Sequence, residues 1–341
     1  MKQAILEKPQ SIKIRDVPTP SAGPGQLLLK IKRIGICGSD VHAYYGKHPY
    51  ISCPIVQGHE FSAQISAAGA GVLGFALGEA VTVMPQVTCG TCHPCMHGNY
   101  HICNNLKVIG CQVGGAAQEY LAVDSKLAVK LPRGMSWDHG AMIEPIAVGA
   151  HALGRLGDLK GMNLLVLGAG PIGNLAAQAA KGLGARAVMI TDIIDSRLEV
   201  ATRCGIDFAV NARTEDLGKA LDRQFGENRA DAILECVGVE ATVEQAIRVS
   251  RKGTDIVVVG VFAEKPRVDI GLVQDKELRL IGTLMYKKED YTSAMRLIGS
   301  GAISLDPLIS THFPFSEYGI AYKFIENNGD KAMKVIIDVE A

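Results

Sequence analysis

Residues 163–173 read NLLVLGAGPIG. An uncharged, mostly apolar run enters a turn at Gly168, Gly170 and Gly173, and a small-residue stretch, NLAAQAAKGLGA, follows. That pattern predicts a buried strand, a tight turn and a helix. Glycines in a G-x-G-x-x-G turn are weak evidence alone. Here a second strand, AVMITD, ends on Asp192, about twenty positions beyond the glycines, where a dinucleotide-binding unit places its acidic residue. The glycines would let a pyrophosphate approach backbone amides at the helix N-terminus. Asp192 would accept hydrogen bonds from the adenosine ribose and repel a 2'-phosphate, so NAD is expected rather than NADP.

Downstream the alternation continues. Strands beginning near Leu164, Ala187, Asp207, Asp231, Asp255 and Leu278 make six, the number a doubly wound parallel sheet of Rossmann type requires. The α/β domain is expected to cover residues 151–286. Residues 287–341 hold two amphipathic helices and a last strand, too little to stand alone, so they are expected to pack with the N-terminal domain. Upstream, to about Tyr120, short apolar alternations broken by Gly and Pro predict a small irregular all-β domain. With residues 287–341, residues 1–150 form the second expected domain. Within it, SWDHGAMIEPIAVGAHALG (136–154) predicts a helix.

Composition narrows the function. With 341 residues two domains are expected. Basic and acidic residues balance at 35 each, which leaves no electrostatic footprint for nucleic acid or an anionic membrane. The uncharged runs 61–78 and 162–180 are broken by Gly and polar residues, so neither predicts a membrane span. The first residues lack a signal-peptide core, and the expected location is the cytoplasm. Nine cysteines, four of them clustered, then point to metal rather than disulfides.

Those four, Cys89, Cys92, Cys95 and Cys103, are spaced C-x2-C-x2-C-x7-C. Four thiolates complete a tetrahedral zinc with no open position, so this site is expected to be structural; an iron–sulfur cluster is the lesser alternative. His93, His97 and His101 among them read as surface residues. A different mixture lies in the loops of 35–60, GICGSDVHAYYGKHPYISCPIVQGHE: Cys37, Ser39, Asp40, His42, His59 and Glu60. A catalytic zinc takes three ligands of these types and keeps one position open, although a buried Cys and a hydrogen-bonded His would explain any one pair alone. Glu144 sits in an apolar stretch before Pro145, where a carboxylate needs a partner or a metal.

Taken together, GICGSD (35–40), GHE (58–60), the four-cysteine lobe, EP (144–145) and GAGPIG (168–173) resemble the medium-chain zinc-dependent alcohol dehydrogenase superfamily over essentially the whole chain. Glu144, where simple alcohol dehydrogenases supply a third zinc cysteine, places the likeness in the polyol branch of sorbitol, threonine and sugar-acid dehydrogenases. The resemblance implies a GroES-like irregular β-barrel catalytic domain beside the Rossmann domain. Cys37 and His59 would bind a catalytic zinc, with Glu60 or Glu144 completing its shell directly or through water. Asp40 would orient His59, and Ser39 and His42 would relay the proton. With Gly168, Gly170 and Gly173, Ile172, Asp192 and Arg197 would line the adenosine half of the NAD site; Val259, Gly260, Val261, Thr283, Leu284 and Met285 would approach the nicotinamide. The implied reaction moves a hydride from a secondary hydroxyl of a polyol or sugar derivative to NAD, in a homodimer or homotetramer with two zinc ions per chain. Ala43 and Met285 stand where animal sorbitol dehydrogenases have tyrosine and arginine, which argues against sorbitol itself. Threonine- or aldonate-type activity is the alternative, and a non-catalytic NAD- and zinc-binding protein the rival of another class.

Overall fold

The computed structural model describes residues 1–339, which fall into two compact units, Met1–Glu144 with the segment from Ile309 on, and Pro145–Leu308.

In the first unit, Gln26–Gly35 is the spine. It pairs antiparallel with Glu60–Ala68, Tyr120–Asp124 and Lys334–Asp338 within a seven-stranded sheet. Alternate residues of the spine, Leu27, Leu29 and Ile31, are fully buried with Phe61, Ala63, Ile65, Val81 and Val83, as expected of strands with one face on a core. The expected small β-domain is therefore present, with one departure. Residues 38–44 form a short helix, Gly38–Tyr44, where the sequence suggested only loop. Asp40 initiates it by accepting the Cys37 backbone N–H at 3.1 Å.

In the second unit, six parallel strands lie in the order Phe208–Asn211, Ala187–Asp192, Asn163–Leu167, Ala232–Glu235, Asp255–Val258, Arg279–Gly282. This is the 3-2-1-4-5-6 order of a Rossmann sheet, with the reversal beside the first strand. Asn163–Leu167 is buried along its whole length because neighbours and helices cover both faces. The helix Pro171–Gly182 follows, with proline at its first position, where the missing N–H costs nothing.

Three boundaries differ from expectation, the first being residues 145–150, which were expected in the first domain and lie in the second unit. The helix expected over 136–154 is two, Trp137–Ala141 and Ile143–Gly154. Residues 287–308, expected with the N-terminal domain, lie in the second unit. The helix Lys288–Gly299 packs Leu297 where a side chain at Gly182 would otherwise sit, and Asp290 meets His151 Nδ1 at 2.8 Å. Packing of that amphipathic helix against Pro171–Gly182 decided its allegiance. Among the described residues, no helix is long and apolar enough to cross a membrane.

Candidate active site

Two strands and a helix bring the first cluster together. Gly35 ends the central strand opposite Glu60, Cys37 follows it, and His59 precedes Glu60 on the paired strand. The ligand atoms of Cys37, His59 and Glu60 all lie within 4.8 Å of one another, and His59 and Glu60 are buried. His59 Nδ1 has no hydrogen-bond partner among the described residues. Asp40 Oδ1 is 3.6 Å from it, which leaves the opposite ring nitrogen, Nε2, for an ion.

Asp40 is itself fixed from behind. Gln57 Nε2 donates to the Asp40 carbonyl at 3.0 Å, and Tyr322 Oη donates to Gln57 Oε1 at 2.9 Å. Sequence reading missed both supports, because neither belongs to a motif. Burial raises the Asp40 carboxyl above its usual range. Burial would lower the His59 imidazole, but Asp40 and Cys37 outweigh it and hold His59 well above its ordinary value.

Glu144 is also buried, in the first turn of its helix, but does not join the Cys37–His59–Glu60 group. A residue the sequence did not suggest does. Lys334 Nζ lies 2.8 and 2.5 Å from the two Glu60 oxygens, with Glu60 fully buried and Lys334 nearly so. The charges of Glu60 and Glu144 act on this buried lysine, and a thiol, an imidazole and a carboxylate whose ligand atoms lie within 4.8 Å of one another are the donor types a divalent zinc takes. Ser39 and His42 sit one turn apart on the short helix, Ser39 half-buried and His42 exposed.

The four-cysteine lobe rises from a two-stranded base, Gln86–Val87 with Lys107–Val108. Cys103 Sγ is 3.5 Å from Cys89 Sγ and 3.8 Å from Cys92 Sγ, and all four sulfurs fall in one group. Backbone N–H groups of Cys92, Asn104 and Asn105 donate to sulfurs at 3.4–3.5 Å. N–H donation from Thr91 and Cys92 pulls the Cys89 thiol down to about 5, whereas burial pushes Cys95 up to about 12. None of the nine cysteines is in a disulfide. His93 and His97 are exposed as expected, but His101 is buried.

In the second unit, each fingerprint glycine has its own reason. Gly168 has φ +99°, and a Cβ there would come within 2.6 Å of Val237; a Cβ at Gly173 would overlap the Gly168 carbonyl. Gly170 has ordinary extended backbone and open space where a Cβ would be. The room at the N-terminus of Pro171–Gly182 fits a dinucleotide pyrophosphate. Asp192 accepts N–H groups from Ala169, Ile193 and Ile194 at 2.8–3.1 Å, with Arg197 3.7 Å away. It thereby holds the glycine turn against its strand. Ile172 is half-buried beside the turn. Val259 and Gly260 donate to the Glu235 carbonyl, Val261 and Leu284 are exposed, and Met285 adopts φ +54°. Thr283 Oγ1 and Glu235 Oε2 are buried without partners among the described residues, and such groups call for a ligand or water.

These two centres in one chain define a class. The chain belongs to the zinc-binding medium-chain dehydrogenases: the alcohol dehydrogenase GroES-like domain family matches residues 23–133 and the zinc-binding dehydrogenase family residues 171–300. Its relatives include sugar-acid and polyol enzymes of that class. It is 36% identical to the 2-dehydro-3-deoxy-L-galactonate 5-dehydrogenase of Pseudoalteromonas atlantica, over 93% of this chain and 92% of that one. It is 32% identical to sorbitol dehydrogenase 2 of Saccharomyces cerevisiae, over 98% and 96%. An alcohol dehydrogenase of Escherichia coli CFT073, solved with NADH, superposes with TM-score 0.91 at 32% identity, covering 99% of both chains.

Proposed function

We propose that this protein is an NAD-dependent zinc dehydrogenase that oxidises a secondary hydroxyl of a polyol or sugar acid to the ketone. The observation that carries the reading is the convergence of the Cys37, His59 and Glu60 ligand atoms within 4.8 Å in the same chain as a dinucleotide turn with room at Gly170. When bound, zinc supplies Lewis acidity that makes a substrate hydroxyl easier to deprotonate, and NAD supplies the hydride acceptor. Cys37 and His59 hold the ion, Asp40 and Gln57 fix the His59 ring, and Asp192 orients the adenosine ribose. Ser39, half-buried, would accept the hydroxyl proton while giving up its own, and His42, exposed one turn along the helix, would pass it to water.

Nine unpaired cysteines and two thiolate metal sites suit a reducing compartment, and we place the protein in the cytoplasm. A homo-oligomer formed through the outer strand Arg279–Gly282 is part of the same proposal. Among the described residues that strand is hydrogen-bonded on one side only, and Leu280 on it and Leu284 just beyond it are exposed. NADH formation across polyols, aldonates and hydroxy-amino acids tests the activity. Turnover of a polyol or aldonate is expected; no NADH from any member would leave only the non-catalytic reading.

A further inference from the structure

Lys334 enters the metal cluster from the far end of the chain. Its strand pairs with the central one in a register that sets Ile336 opposite Gly35, so Lys334 runs on beside Ile36 and Cys37. Nζ reaches the Ile36 carbonyl at 3.3 Å and both oxygens of Glu60. The slot is cut for that carboxylate, since a Cβ on Gly35 would overlap Glu60 Oε2. Glu60 therefore has two cationic suitors: the ammonium on its oxygens, and whatever ion Cys37 and His59 hold, since their ligand atoms lie within 4.8 Å of a Glu60 oxygen.

We propose that Lys334 is a positioning residue that competes with the active-site metal ion for Glu60, holding the carboxylate beside the ion and keeping a coordination position open for substrate. The proposal rests on the metal reading above. Two cations crowded onto one buried carboxylate repel each other, so binding by one weakens binding by the other. The lysine need not be stranded when Glu60 leaves it. The charge of Glu144 also acts on Lys334, and a buried ammonium must keep a counter-charge. Remove the ammonium, and the metal becomes the one cation left for Glu60.

The test uses the intact protein with cobalt exchanged into the Cys37–His59 site, comparing wild type, Lys334→Met, Lys334→Arg, Glu60→Gln and the Lys334→Met/Glu60→Gln double variant. In Lys334→Met an added oxygen ligand is expected to alter the cobalt visible spectrum and slow metal release to a chelator roughly tenfold, the scale of outer-sphere effects on metal sites. The double variant should return both towards wild type. Lys334→Arg keeps the charge and should keep the wild-type spectrum, as should Glu60→Gln, whose carboxylate is not on the ion. Unchanged spectrum and release in a folded Lys334→Met would overturn the proposal. Should that variant not fold, a Glu60→Gln spectrum showing ligand loss would overturn it equally. A wild-type chain that holds no ion outside the four-cysteine lobe would overturn the metal reading as well.

Discussion

Asp40 and Asp192 carry the same side chain and do different work because of what the backbone presents to them. Asp40 is buried between Gln57 and His59, so its negative charge is spent on orienting one imidazole. Asp40→Asn keeps the shape and removes the charge. Metal affinity should fall roughly 10- to 100-fold, the usual effect of losing such a partner, as measured by competition with a chelator. Asp192 sits at a strand end over the glycine turn, and hydrogen bonds to a charged group are worth about 1.5–3 kcal/mol. Asp192→Ala should raise the KM for NAD by roughly tenfold or more and narrow the preference over NADP, read from initial rates with both cofactors. Residues of this kind are legible in sequence because a motif announces them. Lys334 is not, because it meets Glu60 across 274 positions and a lysine in an alternating strand reads as solvent-facing. Gln57 and Tyr322 were hidden because neither belongs to a motif.

The four-cysteine lobe makes its prediction as an element. At neutral pH and without an ion, Cys89, drawn down to about 5, is a thiolate, and Cys95, pushed up to about 12, is a thiol. Zinc binding must strip the proton from Cys95, so at least one proton should leave per ion bound. Calorimetric titration of the metal-free chain in buffers of different ionisation enthalpy would show it; a heat independent of buffer would contradict it. At the junction of the central strands, Gly35→Ala drives a methyl into the Glu60 carboxylate. The expected cost is about 1–3 kcal/mol of stability, visible as a lower melting temperature. Strands of the Rossmann sheet were readable because burial on both faces leaves uninterrupted apolar runs. The helix Gly38–Tyr44 was not, being short, glycine-led and set by a single Asp40 bond. The break at Met142 within 136–154 escaped because periodicity does not mark where one helix gives way to another.

At the scale of the whole molecule, each unit supplies one half of the proposed chemistry, and the chain is woven so that its last strand completes the first unit's centre. The class of reaction follows from the two centres, whereas no motif in the sequence fixes the substrate. Light scattering of the purified protein should give a dimer or tetramer, and Leu280→Lys with Leu284→Lys should shift it towards monomer. The most direct test of the central account is zinc content and NADH formation in Cys37→Ser beside wild type. The account predicts two zinc ions per wild-type chain, one in the variant, and loss of turnover with the missing ion. A Cys37→Ser protein that turns over at the wild-type rate, or keeps both ions, would contradict it.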